Sequence, residues 1–262
     1  MTTADVTSDR LRLGGGAAKA GPVLAVMGLL LLGISAVMGS GAGWTTFWKS
    51  YLIAFMIGTG LSLGALFFVL LQHLTRSGWS VVVRRLAEAI ARNLSWIWIL
   101  FLPILILVLT GHGELLYQWG DRELMEHDHM LHAKAGYLSV TFWSIRSVAY
   151  LVVWVVLGTL YFRWSVNQDG SGDVSWTHRM QRWAPIGMIL YALTQTFASI
   201  DWMMTLQPKW FSTMFGVYFF SACTAGFFSL MILFCWFLQR TGHARKSITT
   251  EHYHDLGKLL FA

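Results

Sequence analysis

Six apolar runs, each about twenty residues long as a bilayer core requires, dominate the chain. They are Pro22 to Met38, Phe47 to Leu74, Leu94 to Thr110, Tyr137 to Phe162, Trp183 to Leu206 and Thr213 to Leu238. The pattern predicts an all-α, polytopic transmembrane helical bundle of six complete spans plus the start of a seventh. Trp44, Trp48, Trp79, Trp119, Trp164, Trp176, Trp183 and Trp210 fall at or just beyond the ends of the runs, as an interfacial aromatic belt does. Residues 1–21 are polar and glycine-rich and read as a tail, leaving 22–262 as the transmembrane domain. Lys19 followed by Pro22 to Met38 has the look of a secretory leader. Asp5 and Asp9 in a long leader, with further spans following at once, favour a first transmembrane helix.

Between the second and third runs, Ser77 to Asn93 sets Trp79, Val82, Val83, Leu86 and Ile90 against Arg84, Arg85, Glu88 and Arg92. This fits an amphipathic helix on the membrane surface or an extension of a membrane helix. Gly60 and Gly64 give the second run a small-xxx-small face for close helix approach. After the sixth run, Thr249 to Asp255 is polar and GKLLFA opens a new apolar stretch, so at least one further span is expected beyond it.

Composition agrees with the pattern. Hydrophobic residues make up 55% of the chain and charged residues only 12%, about half the share usual in a soluble domain. The net charge of +6 acquires meaning from its placement. Fourteen Lys and Arg residues lie in segments at one face of the predicted bundle, including Arg10, Arg12, Arg76, Arg84, Arg85, Arg163, Arg179 and Arg182. The other face holds Lys49, Arg122, Lys134 and Lys209. By the positive-inside rule the N-terminus is cytoplasmic, and the loop Gly111 to Gly136 and the hairpin Leu206 to Ser212 face outward. Cys223 and Cys235, twelve apart in one run, read as small buried hydrophobes.

Charges within runs are the candidates for chemistry, because an ionised group in hydrocarbon needs a partner. Asp201 is the only acidic residue from Trp183 to Phe237, and Arg146 is the other charge deep within a run. At 1.5 Å per residue they sit roughly 8 and 14 Å below the same face, within reach of one another. Two roles are open: an ion pair locking the fourth and fifth spans, or, with Thr205 and Gln195, part of a proton path. In the outer loop, His112, Glu114, His127, Asp128, His129 and His132 concentrate. His127 and His129, at i and i+2, diverge on a helix and no tight ligand motif is present, so a loop touching a partner subunit is favoured over a metal site. His112 and Glu114, at the mouth of the third span, are candidate contacts for a quinone head group or for protons. The nine histidines lie in loops or at span ends, against a bis-histidine haem within the bilayer, and no CxxCH or iron–sulfur cysteine set occurs. A stand-alone transporter using Arg146 and Asp201 is the alternative from another functional class.

Three strings carry a resemblance: YLSVTFWSIRSVAYLVVW (Tyr137 to Trp154), SIDWMMTLQPKWFSTMFGVYFF (Ser199 to Phe220) and HDLGKLLF (His254 to Phe261). They closely resemble the NrfD-like (polysulfide reductase NrfD family) ActF-type membrane subunits of bacterial alternative complex III, a quinol:cytochrome c oxidoreductase. The resemblance runs from about the first span to the end of the chain. It covers the N-terminal part of a longer family that has two four-helix bundles, and implies one such bundle from the second to fifth spans. It further implies a non-redox subunit in the bacterial cytoplasmic membrane, itself without a catalytic centre or cofactor apart from quinone. The implied partners are a second NrfD-like subunit, an iron–sulfur protein, c-type cytochromes carrying haem c, and small membrane anchors. Carried over by position, Arg146, Asp201 and Asp128 with Lys134 are the implied residues for proton handling or structure.

Overall fold

The computed structural model describes residues 15–261, which form ten α-helices joined by short 3-10 turns, with no strand among them. Arg10 and Arg12, counted above toward orientation, lie outside the described residues. The helices are α1 (Gly15–Ala42), α2 (Trp44–Leu74), α3 (Val81–Ala91), α4 (Ile97–Leu109), α5 (Arg122–His127), α6 (His129–His132), α7 (Val140–Ser171), α8 (Ser175–Trp202), α9 (Phe215–Arg240) and α10 (Thr250–Phe261). Five segments are long and apolar enough to cross a membrane: α1, α2, α3 with α4, α7 and α9. The chain is thus a multi-pass membrane protein of all-helical build, with the lipid bilayer as its surroundings.

α1 begins at Gly15, inside the stretch expected to be a tail, because Ala17, Ala18 and Ala20 are strong helix formers. It is exposed on nearly every side and meets α2 where Gly39 lies against Phe47. Gly43 turns the chain between them at φ 84, a conformation that suits glycine. α2 is the centre of the bundle and packs against α3, α8 and α9. A Cβ at Gly64 would fall 2.4 Å from the Cys223 carbonyl oxygen and 2.6 Å from Phe227 Cβ, so α9 presses directly on the α2 backbone there. At Gly60 the nearest atom is the Cys223 sulfur, 3.1 Å from such a Cβ.

The Ser77 to Asn93 segment extends the membrane helix. α3 runs through a 3-10 turn, Arg92–Ser95, into α4 and packs on α2 and α7 with Val83, Ala87 and Ala91 buried. Residues 163–182, expected as a polar connection, are mostly helix. α7 continues to Ser171, Gly172 turns the chain at φ 67, and the Asp173 carboxylate receives the Ser175 N–H at 2.8 Å as α8 begins. Hydropathy marks the apolar middle of a helix and says little about where its solvated ends stop.

α8 is as long as the spanning helices yet too polar to be counted with them. Its polarity is directed inward. Gln195, Ser199 and Asp201 are buried, while Ile186, Ile189, Leu193 and Phe197 face outward. α10 docks on α9, where Gln239 donates to the Ile248 carbonyl at 2.6 Å and receives the Tyr253 hydroxyl at 2.8 Å.

The close approach at Gly64 leads to a graded expectation. Gly64→Ala forces a backbone shift and lowers stability by at least the 1–3 kcal/mol typical of overpacking. Gly60→Ala displaces only a sulfur and costs less, and Gly58→Ala, in open space, is neutral. Thermal unfolding of the three variants in one detergent checks the order.

Candidate functional site

Asp201 sits in the last turn of α8 and is fully buried. Arg146, in the second turn of α7, meets it with two parallel bonds, Nε to Oδ2 at 2.7 Å and Nη2 to Oδ1 at 2.9 Å. This fork-to-fork geometry is the strongest form of a carboxylate–guanidinium contact. The Tyr150 hydroxyl, one turn further along α7, donates to Oδ2 at 2.7 Å. The third arm of the guanidinium, Nη1, donates to the Tyr137 carbonyl at 3.0 Å. The rings of Tyr137 and Phe142 lie 3.8 and 4.3 Å from its central carbon, adding cation–π attraction. Each contact of the carboxylate is with a donor.

The same place closes the end of α8. A helix leaves its last carbonyls without intrahelical partners. Here the Asp201 carbonyl accepts from Trp143 Nε1 at 3.0 Å and from the Thr205 hydroxyl at 2.6 Å, and the Trp202 carbonyl accepts from the Tyr117 hydroxyl at 3.2 Å. Trp202 Nε1 donates back to Ser147 Oγ on α7 at 2.9 Å. Its ring packs on Phe101, with centroids 4.6 Å apart, and on Phe55 and Trp154. Trp119, expected in the interfacial belt, is instead only 4% exposed and stacks on Tyr117.

Other candidates are placed differently. Thr205 reaches Asp201 through its backbone carbonyl, whereas Gln195 points to α9 and donates to the Gly216 carbonyl at 3.1 Å. Asp128 caps α6 through the N–H groups of Met130 and Leu131, and its other oxygen pairs with Lys209. Lys134 donates to the Pro208 carbonyl at 2.6 Å. Asp128 and Lys134 therefore act in parallel, each fastening the outer loop to the Gln207 to Ser212 hairpin. The hydrogen bond from Lys209 holds the Asp128 carboxyl below the usual carboxylate range, with the two backbone N–H groups adding to it. His112 is exposed and contacts the Thr110 hydroxyl through Nδ1 at 3.3 Å. Glu114 lines a cavity of about 730 Å³ shared with Trp119, Asp121, Glu126 and His132. A second cavity, about 220 Å³, adjoins the clamp through Tyr137 and Thr205 and is walled by Trp210 and Phe211. No group of three or more metal-ligating side chains is assembled among the described residues.

A second buried carboxylate, Glu88, escaped the sequence reading. It is 2% exposed on α3 and accepts from Arg85 Nη1 at 3.0 Å and from Ser165 Oγ of α7 at 2.5 Å, with Arg84 Nε 3.5 Å from its other oxygen. Arg85 also pairs with Asp169, so this network ties α3 to α7 at the end of the bundle opposite Asp201. The available signal was the small-residue stripe Val83, Ala87 and Ala91, which turns α3 so that Glu88 faces inward.

The fold and the clamp define an all-helical, multi-pass membrane protein in which α7 and α8 are fastened by a buried arginine–aspartate pair. A scan of the chain against protein-family models finds no match, and a search of curated protein sequences finds none either.

Removing one partner of a buried pair strands the other charge, so Asp201→Ala is expected to cost about 3–5 kcal/mol. Tyr150→Phe, which removes one bond to a charged group, costs about 1.5–3 kcal/mol. The double variant Arg146→Met/Asp201→Leu recovers most of the loss. Thermal unfolding measures all three, and an unaltered profile for Asp201→Ala rules out the lock.

For Asp128 the folded state is the more acidic one, so its clamp is at full strength above the ordinary carboxylate value of about 3.9 and weakens as pH falls through the lower folded value. Amide-exchange protection of the hairpin, corrected for intrinsic rates, is expected to stay level from about pH 8 to 5. Asp128→Asn lowers it at neutral pH.

Proposed function

We propose that the chain is an NrfD-like integral membrane subunit of a quinol:cytochrome c oxidoreductase of the alternative complex III type. In this reading it crosses the bacterial cytoplasmic membrane six times, with α8 as the fifth span and its N-terminus in the cytoplasm. One observation carries the proposal. Two of the three strings that carry the resemblance are the ones that supply the clamp: Tyr137, Trp143, Arg146, Ser147 and Tyr150 from the first, and Asp201, Trp202 and Thr205 from the second.

The inward polarity of α8 supports its place in the bilayer, since polar side chains within a span face the bundle interior. Direct bonds from Arg146 and Tyr150 occupy the Asp201 carboxylate, which suits a structural lock and gives a transported substrate no free ligand. The chain then acts as a scaffold. The lock fixes the hairpin and outer loop, and exposed Trp210 and Phe211 of the hairpin, with Met214 and Tyr218 at the start of α9, offer an apolar surface to the redox partners. Haem c and iron–sulfur clusters belong to those partners. Quinone or proton contacts of this subunit fall to Glu114 with its cavity, to His112, and to the smaller cavity beside the clamp.

Extraction of the tagged chain from its native membrane in mild detergent tests the reading. Co-purification of c-type haem, seen in reduced-minus-oxidised spectra, and of an iron–sulfur signal in paramagnetic resonance is the expected result. A chain that purifies intact without either overturns the assignment. In complexes that assemble, Asp201→Asn is expected to leave turnover and proton release within about twofold, about 0.4 kcal/mol in a barrier, because a carboxylate occupied by Arg146 and Tyr150 serves the fold and not the reaction.

A further inference from the structure

At the Glu88 end of the bundle, α7 and α8, joined beneath by the Tyr161 hydroxyl and the Met180 carbonyl at 3.1 Å, border a groove of about 520 Å³. Leu160 and Trp164 of α7 form one wall, and Trp183, Ile186 and Leu190 of α8 form the other, with Arg179 at the mouth. From Arg179 to Leu190 the groove follows α8 for about 16 Å at 1.5 Å per residue, close to the depth of one leaflet's hydrocarbon. Gly187 lies at its floor, where a Cβ would fall 2.9 Å from Leu70 of α2.

The charge at the mouth has no internal use. Arg179 lies 4.7 Å from the Trp176 ring, and neither it nor the neighbouring Arg163 and Arg182 pairs with a carboxylate among the described residues. The acids nearest in sequence are committed elsewhere, Asp169 to Arg85 and Asp173 to the start of α8. Exposed Arg179 therefore stands at the mouth of an apolar slot flanked by two tryptophans, with exposed Arg163 and Arg182 close by in sequence on the two helices that wall it.

We infer that this groove is a binding site for one anionic phospholipid, its phosphate held by Arg179 with Arg163 and Arg182 and one acyl chain laid between α7 and α8. Guanidinium groups bind phosphate oxygens in a bidentate fork. Tryptophan seats itself at the headgroup level, and basic pockets between spans collect acidic lipids. A soluble phosphate has no use for the apolar walls, and a zwitterionic lipid leaves the excess positive charge uncompensated. The inference needs the membrane-spanning fold and not the respiratory assignment.

The full chain, delipidated in mild detergent, is titrated with dioleoylphosphatidylglycerol, dioleoylphosphatidylcholine or the chain-free headgroup glycerophosphoglycerol, and bound lipid is counted by native mass spectrometry. The expected result is one phosphatidylglycerol held at least tenfold more tightly than phosphatidylcholine, with the chain-free headgroup failing to compete. Arg179→Gln/Arg182→Gln removes the preference. Ile186→Trp, which fills the slot and keeps the charges, removes binding. Arg240→Gln, at the same end on α9, changes neither, and unaltered melting of each variant without lipid confirms that it is folded. Equal affinity for the two lipids overturns the inference, as does competition by the headgroup or an equal loss in Arg240→Gln. Failure of the protein extracted intact from its native membrane to retain the lipid also overturns it.

Discussion

A guanidinium and a carboxylate held out of water must satisfy each other almost completely, and that constraint organises one whole end of this protein. Arg146 and Asp201 belong to different helices, so their bond sets the register of α7 against α8. The surrounding groups follow from it. Tyr150 completes the carboxylate, Tyr137 completes the guanidinium, and Trp143, Thr205 and Tyr117 take the carbonyls that the end of α8 leaves open. Desolvation makes such an arrangement costly when incomplete and adds little net stability when complete. Its product is a single geometry.

Glu88 does the same work at the opposite end with different means. Its partners Arg84 and Arg85 come from its own helix, and only Ser165 and the Arg85–Asp169 pair cross to α7. α7 is thereby fixed twice, near its start to α8 and near its end to α3. Between the two networks apolar and aromatic contacts are joined by single hydrogen bonds from Trp154 to Thr194, between Thr159 and Ser95, and from Tyr161 to the Met180 carbonyl, with Gly158 letting the Ala91 carbonyl approach closely. A frame fixed at both ends suits a subunit whose proposed task is to present surfaces to others.

The apolar middles of the helices and the Arg146–Asp201 pair were legible in the sequence, because hydrocarbon tolerates so few charges that those present must meet. What lay at the helix ends was not. Asn167, Gln168 and Asp169 are polar and still helical, since backbone hydrogen bonding continues into water where hydropathy no longer signals it. Glu88 was hidden by its own arginines, which make a buried carboxylate look like part of a solvated face. Trp119 was misplaced because a tryptophan near a span end is read as interfacial, while here the outer loop folds back over it. Asp128 and Lys134 each found a partner on the hairpin, a contact between distant segments that spacing along the chain does not encode.

The inward polarity of α8 bears on how the protein is made. In the six-span arrangement proposed above, α8 alone offers an insertion machinery a weakly hydrophobic segment carrying an aspartate. Its partner helix has already been synthesised, and only Gly172 to Val174 separates the two. α8 is thus expected to enter the bilayer as the second arm of a helical hairpin, with Asp201 met by Arg146 during partitioning. The salt bridge then spares the carboxylate an unpaired passage into hydrocarbon during biogenesis as well as in the finished fold.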